Sequence, residues 1–200
     1  ETEEAEGIIG NVFSLLAASS LFLMIFCYLL RRPILFLFGA SHQSFFYADA
    51  YLRIYLLGTP FSMIATGMNP YINAQGFPKI GMLTTVIGAV VNIVLDPLFI
   101  FVFDMGVRGA AIATIISQTV SCLWVIRFLT GDKAILKLRR EYMRPEGKLL
   151  REIVSLGIPG FIMAGTNCLV QVTCNATLRT YGGDLYIGVM TVINSVRELF

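Results

Sequence analysis

The stretch Gly88–Gln118, GAVVNIVLDPLFIFVFDMGVRGAAIATIISQ, decides how this chain is read. Asn92 and Asp96 stand one helical turn apart in an otherwise apolar run, so both project from one face of the helix that the run predicts. Ionising a carboxyl inside hydrocarbon costs about 2.5–3.5 kcal/mol on insertion scales, which makes an intramembrane aspartate a functional residue by default. Thr85 and Gly88 extend the same face. Pro97 follows the acid; it lacks an N–H and disfavours helical geometry at Asp96, so the helix is weakened where its charge sits. The segment from Asp104 to Gly109 predicts a turn, and Thr114 lies on the returning helix. With the turn centred near Gly106, Asp96 and Thr114 sit about 15 and 12 Å from it at ~1.5 Å rise per residue, at similar depth on antiparallel neighbours. Amide, carboxylate and hydroxyl together offer oxygen ligands for a small hard cation, or a hydrogen-bonded nest for a proton on Asp96. The competing role for Asp96 is structural, as a polar tie between two helices.

The composition places the chain in a membrane. It is 56% hydrophobic and only 14% charged, against about 25% charged in ordinary globular proteins, and its mean hydropathy is positive. Four cysteines (Cys27, Cys122, Cys168 and Cys174) are scattered through apolar runs without C-x-x-C spacing, so they read as packing residues. His42 stands alone in a loop, and a histidine-based metal site is not expected. The acidic first residues lack the basic character of a signal peptide, so no cleavable leader is expected.

Apolar runs long enough to span hydrocarbon, ~20 residues each, are expected at 7–30, 49–74, 80–103, 110–129 and 153–178, with a sixth starting after Tyr181-Gly182-Gly183-Asp184 and running to Phe200. Arg31-Arg32-Pro33 ends the first. Asp49 is expected to be neutralised by Arg53 at i, i+4. Gln75-Gly76-Phe77-Pro78 separates the second from the third. Lys133, Lys137, Arg139, Arg140, Arg144, Lys148 and Arg151 crowd the connection at 131–151, which the positive-inside rule makes cytoplasmic. Its charges are expected to form a solvated face beside lipid headgroups, and nucleic-acid binding is not expected. Parity then puts the Arg31-Arg32 loop outside, against the rule, together with the turn after Asp96.

Asn-x-x-x-Asp-Pro at Asn92–Pro97, followed by Arg-Gly-Ala-Ala-Ile-Ala-Thr at Arg108–Thr114, resembles the fifth and sixth helices of multidrug and toxin extrusion (MATE) transporters, and the similarity runs along nearly the whole chain. It implies an all-α polytopic fold of about six helices, part of a two-lobe bundle. On that resemblance, residues 1–130 are the later part of the first lobe, with four helices. Residues 131–151 are the loop between lobes, and 152–200 open the second lobe with one full helix and a truncated one. The resemblance also implies that Asn92, Asp96 and Thr114 belong to the first lobe's cation site, completed in the family by an aspartate on a first helix absent here. The coupling ion is then Na⁺ or H⁺, with no cofactor and no other metal. The acidic residue that some members carry near Asn167 is missing.

Other polar positions trace stripes. Ser62, Thr66, Asn69 and Asn73 mark the second span; Thr114, Ser117, Ser121 and nearby Gln118 the fourth; Asn167, Gln171 and Asn175 the fifth. Hydroxyl and small residues serve close helix packing as readily as a cavity, but the carboxamides favour a wet interior. Pro70, Pro97 and Pro159 lie inside spans and suit kinks. Phe61, Met63, Met68, Tyr71 and Met163 could line a site for organic cations, although such residues are more often core or lipid-facing. The function expected is a multi-pass plasma-membrane antiporter, monomeric when full-length, exporting amphipathic or cationic small molecules in exchange for Na⁺ or H⁺. The alternatives are a lipid-linked flippase of the wider superfamily and a bundle in which Asp96 is only structural. An enzyme is disfavoured by the single loop histidine and the lack of paired carboxylates in the spans.

Overall fold

A backbone in hydrocarbon must satisfy its own polar groups, and the helix does so within each apolar run. The computed structural model describes residues 2–41 and 43–197. His42 and the last three positions of the expected sixth span lie outside them. The elements are α1 (Thr2–Leu29), α2 (Arg31–Leu37), α3 (Phe45–Ala74), α4 (Pro78–Pro97), a π-helical turn (Leu98–Val102), α5 (Gly106–Leu129) and α6 (Gly147–Arg197), with no strand among the described residues. Four segments, Glu3–Leu29, Pro78–Val102, Gly106–Leu129 and Gly147–Leu178, are long and apolar enough to cross a membrane. α3 is 30 residues long but is not one of them. Asp49, Arg53, Asn69 and Asn73 lower its hydropathy.

The breaks fall where glycine can take a left-handed conformation. Gly76, between α3 and α4, has φ 86°; its N–H donates to Asn73 O at 3.0 Å and that of Phe77 to Ile72 O at 3.3 Å. α6 contains one non-helical residue, Gly183, at φ 64°, ψ −161°. Asn194 Nδ2 nevertheless donates to Gln171 Oε1 at 3.5 Å. A straight helix would hold residues so far apart in sequence about 35 Å from each other, so the chain folds back at Gly183, inside the turn expected at Tyr181–Asp184.

Two compact units divide the chain: Glu1–Leu29 with Ala50–Ser155, and Leu30–Asp49 with Leu156–Phe200. The core of the first combines Ile9 and Val12 of α1, Ile64, Met68 and Ile72 of α3, Cys122, Val125 and Leu129 of α5, and Ala134 and Leu138 of the following segment. Met68 and Cys122 are therefore packing residues. Met163, in the second unit, is 70% exposed.

The basic connection is not merely a solvated face, because its backbone is strapped into the first unit. Lys137 N–H donates to Glu6 Oε1 at 3.1 Å and Leu136 N–H to Gln75 Oε1 at 3.0 Å. Asn11, fully buried, accepts Glu146 N–H at 2.8 Å and donates to Gly7 O at 2.9 Å and Tyr142 O at 3.4 Å. Ser14 donates to Met143 O at 2.7 Å. Glu6, itself buried, pairs with Arg139 Nε at 3.2 Å. The reason is physical: a segment that inserts Ala134 and Leu138 into a core needs partners for the backbone that accompanies them.

In the second unit Asp49 is 7% exposed and pairs with Arg31 Nε at 3.0 Å. Arg31, eighteen residues away in sequence, is thus an ion-pair partner of Asp49 that the local helical rule does not point to.

Removing the Asn11 amide strands the Glu146 N–H. Asn11→Ala is expected to lower stability by about 1–3 kcal/mol, read as thermal unfolding in detergent, and to speed tryptic cleavage within 131–146. Lys137 Nζ donates to Asp132 Oδ1 at 2.9 Å; this hydrogen bond and the adjacent positive charge hold the exposed carboxyl below its ordinary range. The pair's stabilisation is present above the carboxyl's unfolded value and fades as pH falls through the depressed one. Lys137→Gln should move the Asp132 titration upward by NMR.

Candidate functional site

The residues of the opening stretch come from α4 and α5, which the turn at 103–105 sets side by side. Pro97 ends the regular part of α4, since it cannot donate to Ile93 O. The Leu98 N–H bonds back to Leu95 O, and the next turn widens, with Phe103 N–H donating to Leu98 O at 3.0 Å. Asp104 takes φ 52° and Gly106 φ 53°. Gly109 then meets this turn so closely that a Cβ would lie 2.6 Å from Phe99 O.

Further along, the helices approach through small residues. A Cβ on Gly88 would stand 2.5 Å from Ser121 Oγ, and Ser121 Oγ donates to Thr84 O at 3.0 Å across the α4–α5 contact. α3 meets α4 at buried Gly81, where a Cβ would collide with Asn73 Oδ1 and lie 2.9 Å from Asn69 Oδ1. Asn69 Nδ2 bridges the crossing by donating to Gly81 O at 3.2 Å. α3 meets α5 at Gly58, where a Cβ would be 2.6 Å from Gln118 Oε1.

These contacts border an open cavity of about 310 Å³ between α3, α4 and α5, all within the first unit. Asn69, Asn92, Thr114 and Gln118 line it, together with hydroxyls that include Thr84 and Ser117. Asp96 is not one of its lining residues. It is half-buried and accepts from Asn92 Nδ2 at 3.3 Å. Asn92 therefore serves both the carboxylate and the cavity wall. Thr114 spends its hydroxyl hydrogen on Ala110 O at 2.9 Å, which leaves its oxygen as an acceptor. Two buried acceptors, Asn69 Oδ1 and Gln118 Oε1, have no partner. An orphaned buried acceptor costs about 1–3 kcal/mol, so the wall calls for a donor or a cation. A site built of amide, hydroxyl and carboxylate oxygens suits hard cations and ammonium-type groups.

The remaining candidates fall elsewhere. Asn73 is exposed beside Gly81. In the second unit Asn167 is exposed, Gln171 Nε2 donates to Asn175 Oδ1 at 3.3 Å, and Asn175 Nδ2 to Phe38 O at 3.2 Å. Pro70 lies inside α3 and Pro159 inside α6. Sequence reasoning passed over Thr84, although Thr84, Gly88, Asn92 and Asp96 form a four-residue row that could have found it.

Residues 1–98 match the MatE family model. The multidrug export protein MepA of Staphylococcus saprophyticus is 32% identical over 146 residues, covering 73% of this chain and 32% of that protein. MepA of Staphylococcus aureus is 30% identical over 144 residues, covering 72% of this chain and 32% of that protein. The chain thus spans about a third of the length of these curated relatives. The MATE multidrug transporter DinF-BH, solved as a ligand complex, superposes with TM-score 0.79 at 29% identity over 96% of this chain and 48% of its own. An inward-facing multidrug resistance MATE transporter of the MOP superfamily shares the fold at TM-score 0.82 and 22% identity, over 97% of this chain and 51% of its own. The apolar helices, the match to the family model and the shared fold agree: this chain belongs to the multidrug and toxin extrusion family, as a multi-pass protein of the plasma membrane.

Proposed function

We propose that the chain supplies the first-lobe ion site of an antiporter that exports amphipathic or cationic small molecules in exchange for Na⁺ or H⁺. Asp96 takes up the cation or proton, with Asn92 and Thr114 as its neutral oxygen partners. The cavity beside them, walled by Asn69 and Gln118, receives the organic substrate. In this reading residues 1–130 are the later part of the first lobe, 131–151 the cytoplasmic loop and 152–200 the opening of the second lobe. The full-length protein acts as a monomer, catalyses no covalent reaction and needs no cofactor.

One observation carries the proposal: Asn92 donates to Asp96 while forming part of the cavity wall. Neutralising Asp96 with a proton or Na⁺ weakens its claim on the Asn92 amide and changes what Asn92 presents to the cavity. By reciprocity, a substrate that engages Asn92 changes the affinity of Asp96 for its cation. Such competition is one way to couple the two movements of an antiporter.

The test uses the full-length protein and ethidium, a fluorescent organic cation of the size and charge the proposal requires, as probe. Raising Na⁺ or lowering pH is expected to weaken ethidium binding by about 5- to 150-fold, the usual range of coupling between two sites. In Asp96→Asn that dependence disappears and ion-driven efflux falls to background, while ethidium still binds. Ion-dependent binding that survives in Asp96→Asn would reduce Asp96 to a tie between helices.

A further inference from the structure

Arg127 and Lys133, at the far end of α5 from Asp96, form no ion pair among the described residues, and a cavity of about 380 Å³ opens between them. Trp124, Phe128 and Thr130 complete its lining. Trp124, Arg127 and Phe128 share one helix face at i, i+3 and i+4, and Lys133 comes from the segment that follows. The cavity falls within the ~300–1,000 Å³ range of small-ligand sites.

Its charged groups are donors, while the Thr130 hydroxyl gives its hydrogen to Ile126 O at 2.8 Å and keeps an acceptor oxygen. The buried Trp124 Nε1–H has no acceptor, the guanidinium and ammonium can only donate, and no carboxylate lines the cavity among the described residues. The backbone carbonyls nearby already have donors. The carbonyls of Ile126, Phe128 and Leu129 accept from the N–H groups of Thr130, Gly131 and Leu138 at 2.9, 3.1 and 2.9 Å. Asp132 is held by Lys137 at 2.9 Å. An anion with several acceptor oxygens complements the guanidinium and the ammonium, and a phosphate matches an arginine fork with an ammonium beside it. The surroundings indicate its source. The cavity sits where an apolar span ends, at headgroup level, where tryptophan rings favour the interface. Leu123, next to Trp124, is 60% exposed and gives an acyl chain a surface to lie on.

We propose that Trp124, Arg127 and Lys133 bind the phosphate headgroup of an anionic lipid at this end of α5. The site tethers the α5 end and the strapped basic segment to the membrane surface, away from the ion and substrate site.

The chain is tested in nanodiscs of phosphatidylcholine containing either phosphatidylglycerol or further phosphatidylcholine with brominated acyl chains, reading quenching of tryptophan fluorescence; Trp124 is the tryptophan of this 200-residue chain. Brominated phosphatidylglycerol should half-quench at a mole fraction about 30-fold lower than brominated phosphatidylcholine, the equivalent of two cations at about 1 kcal/mol each. Arg127→Gln with Lys133→Gln should abolish the preference. The charge-retaining pair Arg127→Lys with Lys133→Arg should keep most of it, and the remote pair Arg144→Gln with Lys148→Gln should leave it intact. Equal quenching by the two lipids in the unmodified chain overturns the proposal without reference to any variant, as does a preference that survives the double glutamine change. Loss of the preference on adding inorganic phosphate would assign the cavity to a free phosphate and overturn the lipid source.

Discussion

No polar group in an apolar interior goes without a partner cheaply, and that constraint sorts the amide side chains of the first unit into two kinds. Asn11 and Gln75 turn their oxygens to backbone N–H groups of the strapped segment. Asn11 is consumed by the fold, whereas Gln75 keeps a buried Nε2 without a partner among the described residues. Asn69 and Gln118 donate or pack on one side and leave buried oxygens unpaired on the other, and both line the cavity with Asn92. The same residue type thus serves cohesion at one end of the unit and an unfilled demand in its middle. The unpaired oxygens coincide with the cavity, whereas the unpaired Gln75 Nε2 lies outside its lining.

Close approach of backbones creates the space in which that demand exists. Gly58, Gly81 and Gly88 each stand where a Cβ would fall within 3 Å of a polar side chain on a neighbouring helix. Membrane helices gain little from hydrophobic burial against one another, so close van der Waals contact and interhelical hydrogen bonds such as Ser121 to Thr84 O hold them together. Small residues and hydroxyls therefore serve packing and the cavity at once. Thr84 gives its carbonyl to Ser121 and also faces the cavity. A choice between packing and lining, posed residue by residue, has no single answer here.

Local signals were legible in the sequence and distant pairings were not. Apolar length located the helices, and the glycine-containing breaks landed on Gly76, Gly106 and Gly183, each at positive φ. The Asn92–Asp96 contact followed from helical spacing. By contrast, helical spacing offers Asp49 only neighbours on its own helix and gives no sign of its ion pair with Arg31. The basic segment was read from its charges, although the side chains that place it are the apolar Ala134 and Leu138, and its backbone partners lie in α1 and after α3. One sequence carries no mark of which residue will meet another 61 or 131 positions away. Nor does it reveal which amide oxygens remain without a partner, because that depends on every neighbour at once.

The position of the irregular backbone adds a mechanical consequence to this electrostatic picture. Regular α-helix ends at Pro97, one residue past the carboxylate, with a tight bond from Leu98 to Leu95 on one side and a wide π turn on the other. Proline removes a ladder bond that any other residue would supply, and a π turn is a departure from the α ladder that recurs at functional sites. Rotating Leu98–Val102 relative to α4 therefore breaks fewer intact bonds than a comparable motion around Gly88, where Ser121 and Thr84 clamp the helices. On the proposed role of Asp96, a change of its charge would act beside this weakened turn, while the Ser121–Thr84 bond holds the cavity wall. A carboxylate placed four residues earlier, at Asn92, would act on a regular and clamped helix. Separating the charged group at the weak point from the amide in the wall lets one side chain move while the other stays in register.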